Sequence, residues 1–324
     1  MQKIVADLTN MLSTNIAGVQ FPKFAYNACG VNDEVYKQLE KIGGSDAAAI
    51  LLKSVSTEPR KGNLPPKYIV KSPLIPGCTL NSIGLSNMGL EANLEYAKQL
   101  KQNFSKPIIA SLTTFSFEEN YSLLEAFQTQ NLVDLIEINI SCPNVGTEGL
   151  LGYYPEEVDK FLTGLDERIG NIPVGLKLPP YLEDVYFDKM TEVLLRHKVK
   201  FISTINTVGN ALVIDGEKES VLIKPNFGRG GLAGDWIKPV ALNNVNSFFR
   251  RLNGQISIVG IGGVRTGKDA FEFLLAGADS VQVGSAFAQE GYPIFEKIHT
   301  ELEEILTRKG YKSVQEAKGK LKFL

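Results

Sequence analysis

A cysteine follows directly after an alternating apolar segment in the stretch EINISCPNVG, residues 137–146. A cysteine thiol, with an ordinary pKa of about 8.5, can ionise near neutral pH when its surroundings favour the thiolate. The two histidines, His197 and His299, both fall in segments of helical period, and no separated pair of acids typical of a glycosidase is present. Cys142 is therefore the best-placed general base.

Two lysines and three asparagines accompany this cysteine at the ends of apolar segments. Lys53 and Lys177 interrupt otherwise apolar runs, where a buried ammonium group needs an anion, a ligand oxygen or an internal salt bridge. Asn139, Asn144 and Asn206 supply amide groups that could bind the N–H and C=O edge of a planar heterocycle. Any one of them could equally cap a turn. Their common position at strand ends favours a binding site.

Two glycine-containing strand ends near the carboxyl terminus indicate a phosphate site. The segment GIGGVRTGKDA places Gly262 and Gly263 before a predicted helix, and VQVGSAF ends with Gly284 and Ser285. Backbone N–H groups at such positions face an anion. The sequence contains neither GxxxxGK[ST] nor a Rossmann fingerprint, which disfavours nucleoside triphosphates and dinucleotides. FMN fits, and pyridoxal phosphate bound to one of the two lysines remains possible.

The elements that must hold these residues alternate between apolar runs and amphipathic segments of helical period. We predict strands at 24–30, 47–55, 107–115, 135–142, 172–180, 200–208, 256–263 and 280–287. Eight strand-and-helix units favour a closed (β/α)8 TIM barrel over an open doubly wound sheet, with catalytic groups at the strand carboxyl ends. Two long excursions, 56–89 and 209–235, should cover that face, and the second contains a predicted strand pair.

Composition excludes several classes of protein. The 324 residues show no internal linker, so we expect a single domain, 1–324. A net charge of -2 without basic clusters argues against a nucleic-acid partner. The cysteines are far apart, so neither a disulfide framework nor a metal site is expected. We find no signal peptide or membrane span and expect a cytoplasmic location.

Several motifs, in order, resemble one family across residues 16–322. These are LLKS with RKGN, NSIGLSNMGL, NISCPNV, GLKLPPY, INTVGNALVI, GGLAGDWIKPVAL, GIGGVRTGKDAFEFLLAGA and the terminal KGKL. Together they resemble the class 1 dihydroorotate dehydrogenases, and class 1A in particular. The resemblance implies an FMN-dependent (β/α)8 barrel that oxidises dihydroorotate to orotate in pyrimidine biosynthesis. It also implies a homodimer that passes electrons to fumarate.

The resemblance also implies a role for individual residues. Cys142 would remove the C5 proton of dihydroorotate, flanked by Asn139 and Asn144. Other implied substrate contacts are Lys53, Asn81, Gly84, Leu85, Asn206 and Thr207. The flavin would be lined by Ala28, Cys29, Gly30, Lys53, Ser54, Asn139, Ile205 and Gly234, with Lys177 near its pyrimidine end. Its phosphate would be held by Gly262, Gly263, Gly284 and Ser285.

Some positions depart from the class 1A pattern. The segment after Cys142 is VGTEGLL, where the family has VPGKPQ, Thr207 replaces a serine, and NSIGL replaces NSMGL. Three alternatives stay open: another FMN barrel acting on a dihydropyrimidine, a class 1B catalytic subunit that passes electrons to an FAD and iron-sulfur partner, and a non-catalytic phosphate-binding barrel. A tRNA-directed enzyme is disfavoured because the chain has no basic face.

Overall fold

The computed structural model describes residues 11–113, 116–141 and 149–324. Its strands are β1 (Thr14–Ile16), β2 (Val19–Phe21), β3 (Ala25–Asn27), β4 (Ile50–Leu51), β5 (Tyr68–Ile69), β6 (Cys78–Asn81), β7 (Ile108–Thr113), β8 (Leu135–Asn139), β9 (Val174–Leu178), β10 (Phe201–Thr204), β11 (Val208–Leu212), β12 (Ile214–Asp215), β13 (Ser220–Val221), β14 (Arg229–Gly234), β15 (Ser257–Ile261) and β16 (Ser280–Val283). The helices are α1 (Tyr36–Gly43), α2 (Gly89–Asn103), α3 (Phe117–Gln130), α4 (Pro155–Asp166), α5 (Asp184–Arg196), α6 (Lys238–Leu252), α7 (Gly267–Ala276), α8 (Ser285–Glu290), α9 (Ile294–Lys309) and α10 (Val314–Ala317).

Eight parallel strands form the central sheet in the order β3-β16-β15-β10-β9-β8-β7-β4. Each coincides with one of the eight predicted strands, although the observed strands are shorter. The strands are buried on both faces, which explains why they appear in the sequence as nearly continuous apolar runs. Helices connect successive strands, as parallel pairing requires. The predicted (β/α)8 barrel is confirmed.

The first and last strands of that order, β3 and β4, are joined mainly through one side chain. The amide of Asn27 donates to the Leu51 carbonyl at 2.8 Å and accepts from the Leu51 N–H at 3.0 Å. One backbone bond, from Ala48 N–H to the Ala25 carbonyl at 2.8 Å, lies beside it. Asn27 therefore closes the barrel where the short strands provide little backbone pairing.

The hairpin formed by β1 and β2 covers the amino ends of the barrel strands. Ile16 and Phe21 are fully buried and pack with Leu135 and Phe201 at the starts of β8 and β10. The ring centroids of Phe21 and Tyr26 are 5.6 Å apart. With this end filled by apolar side chains, the open face of the barrel is the opposite one.

The two long excursions form one antiparallel sheet over the carboxyl ends, in the order β11-β14-β6-β5, which we call the capping sheet. The strand pair predicted within 209–235 exists as β12 and β13, but the sequence analysis missed β14 in the segment after it. Strand β14 pairs with β6 from the other excursion, with Gly231 opposite Asn81 and Gly234 opposite Cys78. The cap is therefore a single structure built from two distant parts of the chain.

Helix α7 begins directly after the predicted phosphate glycines. Thr266 is its N-cap and accepts from Asp269 N–H at 3.1 Å, while the Asp269 carboxylate accepts in return from Thr266 N–H at 2.8 Å. Gly277 ends the helix with φ 115°, a conformation that favours glycine.

Within the described ranges, no helix is both long and apolar enough to cross a bilayer.

Candidate active site

A cavity of about 1220 Å³ lies between the capping sheet and the carboxyl ends of the barrel strands. Every candidate residue that falls in the described ranges lines it: Ala28, Cys29, Gly30, Lys53, Ser54, Asn81, Gly84, Leu85, Asn139, Lys177, Ile205, Asn206, Thr207, Gly234, Gly262, Gly263, Gly284 and Ser285. Cys142 and Asn144 lie outside the described residues. The structure thus gathers candidate residues from nine separate segments of the chain around one space.

The two lysines reach this cavity from different barrel strands. Lys53 follows β4 and is 7% exposed, and Lys177, within β9, is 6% exposed. Gly30 lies against Lys53, since a Cβ at Gly30 would be 3.6 Å from the Lys53 Nζ atom. Two largely buried ammonium groups make this part of the cavity suited to an anionic or oxygen-rich ligand.

A buried carboxylate, Asp33, stands behind the lysines. It is 2% exposed and accepts from Gly30 N–H at 2.6 Å. Burial raises the pKa of Asp33, and this outweighs the opposing influence of Lys53, the Gly30 N–H and Lys177. Asp33 is therefore an acid whose charge acts on both lysines, and it lies in the loop after β3.

The asparagines at the ends of β8 and β10 contact each other. Asn206 donates from Nδ2 to the Asn139 Oδ1 atom at 3.3 Å, and the same oxygen accepts from Ser141 N–H at 3.0 Å. The Asn206 Oδ1 atom accepts from Thr207 N–H at 2.8 Å. Backbone N–H groups can only donate, so these bonds fix the orientation of both amides. Ser141, the residue before Cys142, also donates its hydroxyl to the Lys177 carbonyl at 2.9 Å.

The other strand ends on this side form a small polar chain below the cavity. The Ser54 backbone N–H donates to the Cys29 Sγ atom at 3.0 Å, and the Ser54 hydroxyl lies 3.0 Å from the same sulfur. That hydroxyl is also 2.8 Å from the Ser111 Oγ atom. Cys29 is half-buried and lines the cavity, so it can contact a ligand there while its sulfur also bonds to Ser54.

The glycines after β15 and β16 form the opposite wall. Gly262 has φ 127°, and a Cβ there would lie 2.8 Å from the Ala241 Cβ atom, so packing against α6 requires glycine. At Gly284, by contrast, an added Cβ would meet only the Ala28 Cβ atom, at 3.6 Å. Glycine at this position leaves space in the cavity where the backbone can approach a ligand, as a phosphate cradle requires.

Comparison with known proteins identifies the family. The family model described as "Dihydroorotate dehydrogenase" matches residues 11–306. The chain belongs to the dihydroorotate dehydrogenase family. It is 42% identical to dihydroorotate dehydrogenase A (fumarate) of Lactococcus lactis subsp. lactis over 97% of this chain and 100% of the relative. It is 41% identical to dihydroorotate dehydrogenase (fumarate) of Kluyveromyces lactis, over 92% and 94%.

Solved structures agree on the fold. The ligand-free DHODH from Eimeria tenella superposes with a TM-score of 0.81 at 20% identity, covering 99% of this chain and 94% of that one. The Eimeria tenella DHODH in complex with ferulenol gives a TM-score of 0.79. At 20% identity these structures support the fold alone. Their fold agrees with the barrel described above.

The structure adds cavity-lining residues that the sequence analysis did not name as site residues. Thr79, on the capping strand β6, places its hydroxyl 2.9 Å from the Ser285 hydroxyl of the phosphate wall. Burial raises the pKa of Tyr68 to about 12, against a hydrogen bond with Thr79. Arg60 and Arg229 line the cavity from the two excursions. Arg60 begins the RKGN motif but was not predicted to line the site, and no motif marks Thr79, Tyr68 or Arg229, because their positions depend on how the capping sheet pairs.

Proposed function

We propose that the protein is a dihydroorotate dehydrogenase that oxidises dihydroorotate to orotate in pyrimidine biosynthesis. FMN would be its cofactor. Fumarate, which the names of the two relatives print, would be its electron acceptor. The observation that carries the proposal is that the implied substrate and flavin residues within the described ranges all line one cavity, at the carboxyl ends of a barrel. Family membership also favours FMN over pyridoxal phosphate.

The residues present fit FMN. The space beside Gly284 accommodates close approach of a phosphate to the backbone, and Ser285 stands next to it. Lys177, nearly buried in the barrel mouth, provides a positive charge for the flavin's pyrimidine end. Bound FMN would supply the acceptor for the hydride that leaves C6 of dihydroorotate.

The chain's own residues would bind the substrate and move its proton. Cys142, whose backbone continues from the Ser141 anchored between Asn139 and Lys177, would remove the C5 proton as a general base. The amides of Asn139 and Asn206 would bind the pyrimidine edge, and Lys53 would meet an anionic oxygen. Asn144, Thr207, Asn81, Gly84 and Leu85 would complete the substrate contacts.

Fumarate fits the same site by charge. It is a small dicarboxylate, and the cavity offers the Lys53 ammonium group with Arg60 and Arg229 at its wall. An acceptor that enters after orotate leaves needs no second subunit. In the class 1B alternative, electrons would instead pass to a separate flavin-containing partner.

The decisive experiment uses the purified chain alone. We expect a yellow protein that forms orotate from dihydroorotate when fumarate is added, and not when NAD+ is added. Activity that appears only with a flavin-containing second subunit would support class 1B, and equal turnover of dihydrouracil would support another dihydropyrimidine enzyme. A colourless protein that binds no FMN would leave only the non-catalytic barrel.

We also propose a single-domain, cytoplasmic homodimer. Support for the dimer comes from apolar side chains that the second excursion leaves exposed on and beside its β12–β13 hairpin: Leu212, Ile214, Val221 and Phe227, the last 88% exposed. Exposed apolar side chains grouped on one hairpin are typical of a protein–protein interface, and a two-fold interface uses the same surface of both subunits. Light scattering on wild type and on Ile214→Lys tests the dimer. We expect a dimeric wild type and a monomeric variant, and a monomeric wild type would contradict the proposal.

A further inference from the structure

Arg265 joins three parts of the chain at one edge of the cavity. It follows the Gly262–Gly263 turn, and its guanidinium group donates to four acceptors. These are the Asp235 Oδ1 atom at 3.3 Å, the Glu290 Oε1 atom at 2.5 Å, the Gly77 carbonyl at 3.0 Å and the Gln289 Oε1 atom at 2.6 Å. The planar fork of an arginine can satisfy such a divergent set, whereas a lysine cannot.

Gln289 extends this network to the other side of the same loop. Its Nε2 atom donates to the Val70 carbonyl at 2.8 Å and to the Cys78 carbonyl at 3.0 Å. Arg265 and Gln289 therefore hold both ends of the segment that leads from β5 into β6. Gly77 has φ 72°, and an added Cβ there would collide with the Asp235 carboxylate, so the two loops are in close contact.

The contacted residues are the ends of the two central capping strands. Gly77 precedes β6, and Asp235 follows β14. On β6, two residues further, the Thr79 hydroxyl lies 2.9 Å from the Ser285 hydroxyl in the phosphate wall. The distance between the capping sheet and that wall thus depends on a small set of polar contacts, of which Arg265 and Gln289 make two each.

We infer that Arg265 and Gln289 are positioning residues that hold the capping sheet over the phosphate end of the cavity and so set the affinity for the cofactor. The identity of that cofactor rests on the proposed function. Neither residue need touch the ligand. They act through β6 and β14, whose residues Thr79 and Gly234 line the cavity.

Arg265→Gln and Gln289→Ala test the inference, and Arg251→Gln is a matched control. Arg251 also binds two carboxylates, Asp184 at 3.0 Å and Asp188 at 2.7 Å, and its side chain is 25% exposed against 22% for Arg265. Its contacts join α5 to α6 on the barrel exterior. It therefore controls for the general loss of an arginine network.

Two measurements on the full chain decide the outcome. By fluorescence titration, FMN should bind Arg265→Gln and Gln289→Ala about tenfold more weakly than wild type, as expected for losing charge-assisted hydrogen bonds that order a site, and Arg251→Gln should bind as wild type. In FMN-free protein, amide hydrogen exchange should rise in β6 and β14 of both site variants and stay unchanged there in the control. Arg265→Lys should recover little of the affinity.

Unchanged exchange in β6 and β14 of Arg265→Gln would overturn the inference, as would an equal loss of FMN affinity in Arg251→Gln. If wild type itself binds no FMN, the proposed function fails, and the exchange measurement still decides whether Arg265 and Gln289 hold the cap.

Discussion

Asn206 and Asn139 form a hydrogen-bonded pair across the strand that lies between them. The Asn206 Nδ2 atom is 3.3 Å from the Asn139 Oδ1 atom, although the two residues are 67 positions apart and belong to the ends of β10 and β8. Strand β9, with Lys177, runs between these strands. The pair and the lysine therefore form one surface at the barrel mouth, with both amide orientations fixed.

Asn206→Ala and Asn139→Ala should each raise the KM for dihydroorotate with FMN still bound. Losing a hydrogen bond to a buried polar ligand costs about 1–3 kcal/mol, so kcat/KM should fall roughly tenfold to a hundredfold. Because the residues contact each other, the double variant should lose less than the sum of the single losses. Steady-state kinetics gives kcat/KM for each variant, and Asn103→Ala, at an exposed position, is the control. Fully additive losses in the double variant would mean that Asn139 and Asn206 act independently.

Cys142→Ser should bind FMN and be slow in flavin reduction. A serine hydroxyl is far harder to deprotonate than a thiol, so the rate should fall by about two orders of magnitude or more. Stopped-flow absorbance of the flavin after mixing with dihydroorotate gives this rate at pH 7. A rate close to that of wild type would remove Cys142 from the role of base.

Gly284→Ala should fold normally and bind FMN poorly. The new methyl group would meet only the Ala28 Cβ atom within the protein, at 3.6 Å, so it would occupy space in the cavity. Gly216→Ala, whose Cβ would meet nothing within 4 Å, is the control. We expect equal melting temperatures for the cofactor-free proteins and at least about a tenfold loss of FMN affinity in Gly284→Ala alone. Wild-type affinity would exclude this wall as the phosphate cradle.

The stability of the protein should fall when His299 is protonated. Its Nε2 atom accepts from Ala25 N–H at 2.8 Å, and its Nδ1 atom lies 2.7 Å from the Asp46 carboxylate. Burial lowers the pKa of His299 below 6.5, against the influence of Asp46 and together with that of Lys23 and Lys106. The unfolded chain therefore takes up the proton first as pH falls, so stability is complete above about pH 6.5 and declines below it.

Urea unfolding at several pH values checks this prediction. The slope from this residue should not exceed about 1.4 kcal/mol per pH unit below about pH 6.5, and it should be absent in His299→Gln. Asp46 acts in a different window. Burial would raise its pKa, but hydrogen bonds from His299 and Lys23 lower it to about 2, so its contribution is lost only below about pH 4. If stability below about pH 6.5 falls with the same slope in wild type and in His299→Gln, the slope does not come from His299.

Asn27→Leu should destabilise the barrel at its closure. The change leaves the buried N–H and carbonyl groups of Leu51 without the Asn27 amide, which costs about 1–3 kcal/mol for each unpaired group. Asn93→Ala is a control of equal burial whose bond, to the Gly89 carbonyl, lies within one helix. Urea denaturation should show a clearly larger loss for Asn27→Leu. Equal losses would mean that closure does not depend on this side chain.

The barrel and the positions around its mouth could be predicted from the sequence, whereas for the cap only its location and the β12–β13 strand pair could be predicted. Strands such as β8 and β9 are mostly apolar runs buried on both faces, so their existence and direction follow from local pattern. Lys53 and Lys177 drew attention because a charge in such a run needs a ligand. Thr79, Asp33 and Arg265 gave no comparable signal, because their partners are fixed by pairing between distant segments.

The capping sheet has a consequence for the order in which the protein folds. Asn81 bonds to the Gly231 carbonyl, and the two residues are 150 positions apart. Four of the eight barrel strands, β7 to β10, lie between them, and closing so long a loop is entropically costly until the intervening strands are compact. The barrel should therefore form first and the roof of the cavity last. Removal of ligand should then loosen the roof while the barrel remains folded, and a refolding chain should gain the ability to bind ligand only after its helices have formed.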